Sequence, residues 1–296
     1  MENINFKHSI IFFNFCILIS AIYLMLNFEP VVTCLFLILI LGISHGALDN
    51  IKGKKLLKLF GYKKTVSFYL AYVLISSLII IFWLIFPNTI LLLFLIVAAY
   101  HFGKEDTVFF FRKKFFISEC LFFLKGSTVI MAPLLLKREE TNEIFRILNF
   151  KVFEAGFFSN EFLIGMLCLG FLSSMYISKK ENTNLKGVMI MDFFSLIILN
   201  LFLSPILAFT LYFCFLHSIR HSITLIFELD RSFKPGLKKF IIKAIPLTFV
   251  TAVIFLFAIY FLNNFYKLDE AIYKVIFIGL ASLTFPHILL EYLLEK

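Results

Sequence analysis

Apolar stretches of about twenty residues recur from one end of this 296-residue chain to the other. At ~1.5 Å of rise per residue, a helix of that length matches the ~30 Å hydrocarbon core of a bilayer. Inside such a core every backbone N–H and C=O must be satisfied by the protein itself, which leaves only helices and closed barrels. Barrel strands need segments of about ten alternating residues, so segments twice as long mean helices. Composition agrees: 61% of the residues are hydrophobic and 16% charged, against about 25% charged in ordinary soluble domains. The chain is expected to be one all-α domain, residues 1–296, a polytopic helical bundle in the cell (inner or plasma) membrane.

Ten spans are expected, near residues 9–25, 30–49, 65–86, 89–103, 115–136, 160–177, 187–203, 205–228, 240–262 and 271 to the end. The first lacks a small-residue cleavage signature and a second follows at once, so it reads as a retained helix. The net charge of +9 raises a nucleic-acid reading. The lysines, however, cluster in short loops between apolar segments, as Lys52, Lys54, Lys55, Lys58, Lys63 and Lys64 do without any acid. A second basic group, Lys104, Arg112, Lys113 and Lys114, follows the fourth span. Basic and neutral loops alternate throughout, which is the positive-inside signal and puts both termini in the cytoplasm. No nucleic acid is expected as a partner. The five cysteines all lie in apolar segments without a CxxC pair and read as small buried residues. The 42 phenylalanines suit an aromatic slot, although abundant Phe, Ile, Asn and Lys together also mark an AT-rich coding sequence.

Against this apolar background the histidines stand out. His217 and His221 are four residues apart, so a helix projects both from one face. That is how a single helix supplies two imidazoles to one metal, and imidazole suits iron, copper, nickel and zinc alike. The competing reading is interhelical hydrogen bonding, for which membrane helices also use histidine. Depth separates the two. His45, His101, His217, His221 and His287 fall on spans two, four, eight and ten, all running the same way, and all in the inner half. His45, His221 and His287 lie on the order of 7–10 Å inside their helix ends. A metal centre requires a shared depth; independent hydrogen bonds do not. His8, at the entrance to the first span, reads as an interfacial residue.

Carboxylates accompany the rings. Asp49 follows His45 by four residues and Glu105 follows His101 by four, so each shares its histidine's face and could fix its tautomer. The plainer reading is that both acids mark helix ends at the water boundary. Asp192, inside the seventh span, is a candidate partner for a histidine or for Arg220. Pro286 removes a backbone hydrogen bond just before His287 and could turn that ring inward. Lys125 reads as a snorkelling side chain.

Four patches carry a family resemblance: His45-Gly46-Ala47-Leu48-Asp49, Tyr100-His101-Phe102-Gly103-Lys104-Glu105-Asp106, His217-Ser218-Ile219-Arg220-His221, and Pro286-His287. Their order and spacing resemble the bacteriorhodopsin-related-protein-like (Brp/Blh) family of β-carotene 15,15′-dioxygenases, over about His45 to Leu290. The resemblance implies an iron(II)-dependent integral membrane oxidoreductase that cleaves β-carotene with O2 into two molecules of retinal. It implies that His45, His101, His217 and His221 hold the iron, and it puts His287 near the centre. Asn50 stands where some relatives carry histidine. Membrane lipid is the expected source of substrate, and a retinal-binding rhodopsin an acceptor for the product. A carotenoid would need a long apolar slot that opens to lipid and passes the metal.

Three other readings compete, of which a di-iron desaturase-like enzyme typically needs more histidines than the six present here. A haem-binding membrane protein would use paired histidines, but two axial ligands do not normally come from one helix four residues apart. A metal-ion or proton transporter would need a polar route to both faces, and the outer halves of the histidine-bearing spans are almost wholly apolar.

Overall fold

The computed structural model describes residues 2–26, 30–61, 65–107, 116–150, 158–180 and 187–295. The side chain of His45 and the loop cations Lys63, Lys64, Arg112, Lys113 and Lys114 lie outside the described residues. Eleven helical runs follow one another: α1 Glu2–Leu26, α2 Val31–Leu59, α3 Val66–Ile85, α4 Pro87–Glu105, α5 Phe116–Leu136, α6 Arg138–Ile147, α7 Asn160–Lys180, α8 Val188–Phe202, α9 Pro205–Leu229, α10 Phe233–Leu262 and α11 Leu268–Glu295. No strand occurs among the described residues. Nine of these helices are long and apolar enough to cross a membrane. The seventh expected span, α8, is apolar but has only 15 residues. The short α6 is amphipathic and begins Arg138-Glu139-Glu140, so it is no span at all.

Burial ranks the helices. In the most apolar stretch of α9, 78% of the residues are buried, against 11% in α3 and in α10. Thus α9 forms the axis of the bundle. The long α10 instead shows Ile242, Phe249, Phe257 and Tyr260 on its outside. Both α4 and α9 start on a proline, Pro87 and Pro205, whose missing N–H is unneeded in a first turn.

Two local features set how these helices meet. The first is a backbone crossing of α4 and α5. A Cβ on Gly103 would lie 1.7 Å from the Phe122 carbonyl oxygen, and one on Gly126 would lie 1.8 Å from that of Ala99. Only glycine permits this approach, the small-residue packing that membrane helices use. The second is a pair of widened π turns, Ile38–Gly42 in α2 and Tyr212–Ser218 in α9, which pack on each other. Ser218 Oγ donates to the Gly42 carbonyl at 3.4 Å. After its π turn, α2 tightens into a 3-10 stretch, Ile43–Leu48, that carries His45. Such irregular turns re-aim the side chains that follow and concentrate at functional sites.

Candidate metal centre

The glycine crossing fixes the end of α4, and with it His101, beside the π turn of α9. Ring centroids of His101 and His217 are 5.2 Å apart, and those of His101 and His287 5.3 Å. His221 lies 5.9 Å from His287. All four rings are buried. The 3-10 stretch holding His45 packs against the same part of α9. The histidines of α4, α9 and α11 therefore form one cluster. Pro286 sits within a continuous α11, one residue before the ring that enters it.

Three of the rings are oriented by carboxylates. His217 Nδ1 bonds Asp106 Oδ1 at 3.0 Å, and His221 Nδ1 bonds Glu105 Oε2 at 2.9 Å. Consecutive acids at the end of α4 thus hold two histidines one turn apart on α9. His287 Nδ1 meets both oxygens of Asp49 at 2.9 Å. Tyrosines complete two of these carboxylates: Tyr212 donates to Asp106 Oδ2 at 2.7 Å and Tyr72 to Asp49 Oδ2 at 3.1 Å. Burial opposes ionisation of Asp106, but the His217 hydrogen bond and the charges of Lys125 and Arg220 hold its carboxyl well below the usual carboxylate range.

These pairings correct the sequence expectation in one respect. Asp49 and Glu105 do hold histidines, but across helices: Asp49 takes His287, and Glu105 takes His221 and not its own neighbour His101. The reading of both as solvated helix ends does not hold, since Asp49 is 2% exposed and both bond a ring. Asp192 pairs with Arg220, through contacts of 2.7 and 3.1 Å. Arg220 also donates to Ser9 Oγ at 2.7 Å and to the Asp106 carbonyl at 3.1 Å, tying α1 and α8 to the acid that holds His217. His8 is half-buried at the start of α1. Its Nε2 donates to the Phe215 carbonyl at 2.7 Å, inside the π turn of α9. Lys125 does not snorkel but is 8% exposed within the bundle.

Two residues of the site, Glu291 and Asp106, had no role in the sequence reading. Glu291 Oε1 accepts from Lys52 at 2.8 Å and lies 3.6 Å from His287 Nε2, while its Oε2 lies 3.9 Å from His101 Nδ1. The ligand atoms of His101, His287 and Glu291 fall within 4.8 Å of one another, as do those of Glu105, His221 and Glu291. Glu291 follows His287 by four residues, the spacing that singled out Asp49 and Glu105, and the same rule would have found it. Asp106 lay in plain view at the end of a motif without a role.

The donor set fits a transition-metal dication. Three of the four imidazoles engage a carboxylate through Nδ1, and that arrangement fixes the tautomer which presents Nε2 to a metal. Four carboxylates surround the four imidazoles and Lys52 neutralises one of them, which leaves a net negative charge that favours a cation at the centre.

Comparison with known proteins returns one family, described as beta-carotene 15,15'-dioxygenase, which matches residues 36–295. A curated protein of uncultured marine bacterium 66A03, named "Beta-carotene 15,15'-dioxygenase", is 35% identical over 99 residues. That alignment takes in 33% of this chain and spans about a third, 35%, of the relative. No solved structure matches the chain.

Proposed function

The chain belongs to the beta-carotene 15,15'-dioxygenase family, and from that premise we propose that it cleaves β-carotene at the central 15,15′ double bond with O2. The central C=C bond breaks, each of its carbons takes one oxygen atom, and two molecules of retinal result. The observation that carries this reading is the cluster of buried histidines from α4, α9 and α11, each of three oriented by a carboxylate from another helix.

The ligands proposed for the metal are His45, His101, His217 and His221, with His287 beside them. Asp106, Glu105 and Asp49 hold ring orientation and tautomer. Bound iron(II) would supply the electrons without which ground-state O2 reacts poorly with a closed-shell alkene. The chain's own part is to fix the imidazoles, exclude water and align the polyene. Edge-to-face imidazoles 5.2 to 5.9 Å apart leave no slab of space for a porphyrin, which disfavours the haem reading.

We place the protein in the cell (inner or plasma) membrane with both termini cytoplasmic, β-carotene arriving from lipid and a retinal-binding rhodopsin as an acceptor. Reporter fusions after Lys64 and after Asn149 are expected on opposite sides; the same side for both would overturn this topology. For the activity, expression in β-carotene-producing cells followed by pigment chromatography should show retinal, with iron in the purified protein. An iron-bearing protein that leaves β-carotene intact would overturn the reading.

A further inference from the structure

An apolar cavity runs away from the histidine cluster, toward the end of the bundle where Pro87 and Pro205 start their helices. Its walls are Phe94, Ala98 and Phe102 of α4, with Phe209 of α9 and Phe277 of α11 opposite. Ile144 and Phe145 of the short α6 close its far end. From Phe94 to Phe102 is eight helical residues, or about 12 Å, so the cavity is elongated along the helix axes.

Chemistry and continuity identify the occupant. The one hydroxyl in the lining, that of Thr141, is already engaged with the carbonyls of Pro133 and Lys137 at 3.1 and 2.7 Å. Nothing else in the lining can hold a polar ligand, so the cavity suits hydrocarbon. It also shares a wall with the metal centre. The Phe102 ring lies 4.9 Å from that of His217. Phe277, Phe209, Phe213 and His217 form a continuous stack with centroid steps of 5.9, 5.5 and 5.8 Å. A ligand that fills the cavity and continues along this stack brings its next carbons to the histidines. A conjugated polyene has that shape and that chemistry.

We propose that the cavity holds one arm of the carotenoid, standing along α4 and α9, and that Ile144 and Phe145 set how far it enters and hence which double bond meets the metal. This rests on the carotenoid-cleaving reading above and gives that substrate its orientation, which is along the helices and not in the membrane plane. Ala98, in the middle of one wall, sets the width.

The chain contains a single tryptophan, Trp83, whose ring lies 6.4 Å from that of Phe94, so its emission reports on the cavity. The test titrates β-carotene into purified, iron-containing full-length protein and follows Trp83 quenching, with iron content and product chromatography on the same samples. Wild type should show saturable quenching. Ala98→Phe should keep its iron but bind β-carotene at least ~10-fold more weakly, since even one methylene in an apolar pocket is worth about 10–200-fold. Phe145→Ala should still bind, and should release apocarotenals longer and shorter than retinal. Wild-type quenching and retinal yield in Ala98→Phe, or retinal alone from both Phe145→Ala and Ile144→Ala, would overturn the inference and leave the family reading standing. Wild-type protein that quenches saturably and holds iron, yet makes no retinal, would support the cavity and overturn the dioxygenase reading.

Discussion

The two halves of α9 have the same burial and opposite chemistry. From Pro205 to Phe213 every residue but Phe209 is buried, and Phe209 faces a hydrocarbon cavity. One turn on, His217, Arg220 and His221 are buried just as deeply. The first half is held mainly by packing of carbon, apart from Tyr212, whose hydroxyl donates to Asp106. The second survives in an apolar medium because each polar group is answered from another helix: His217 by Asp106, Arg220 by Asp192 and His221 by Glu105. Breaking one partner should therefore cost far more here than a comparable change in the apolar half.

The largest effect is expected from the rings themselves. His217→Ala, His221→Ala and His101→Ala, and His45→Ala with them, should each abolish retinal formation and lower iron content while the protein still inserts. Pigment chromatography and metal analysis on one preparation check both. Full activity and full iron in any variant would remove that residue from the ligand set.

Next comes the ion pair beside the rings. Arg220→Met leaves Asp192 charged and alone in the core, and breaking a buried pair this way costs ~3–5 kcal/mol. Thermal unfolding in detergent should fall sharply. Asp192→Asn added to it should restore part of the loss, because the uncompensated charge is then gone. No rescue would mean that Arg220 acts through Ser9 and the Asp106 carbonyl and not through Asp192.

The smallest of these effects concerns the acids that hold the rings. Asp106→Asn and Asp49→Asn should each weaken iron retention or activity by about 10–100-fold without abolishing it, the usual consequence of losing a ligand's hydrogen-bond partner. A chelator titration reads this directly. Phe209→Leu, in the apolar half of the same helix, should leave iron retention as it is. Equal iron loss in all three would erase the distinction between the halves.

Sequence alone determined what depends on one helix at a time. Twenty-residue apolar runs fix the helical class, because no other local structure satisfies the backbone in lipid. Position along each run suggests depth, and on that ground the sequence grouped His101, His217, His221 and His287, whose rings do meet. Four-residue spacing drew attention to Asp49 and Glu105 but to the wrong partners, and the same rule would have drawn it to Glu291. Tertiary structure decided what depends on two helices at once: that Asp49 reaches His287, that Glu105 reaches His221, that Asp106 holds His217, and that an apolar cavity opens above them. Periodicity tells which residues share a face but not which neighbour that face will meet. The rotation and approach of each helix are set where backbones touch, at Gly103 against Phe122 and at the paired π turns of α2 and α9. Those contacts exist only once the bundle is packed.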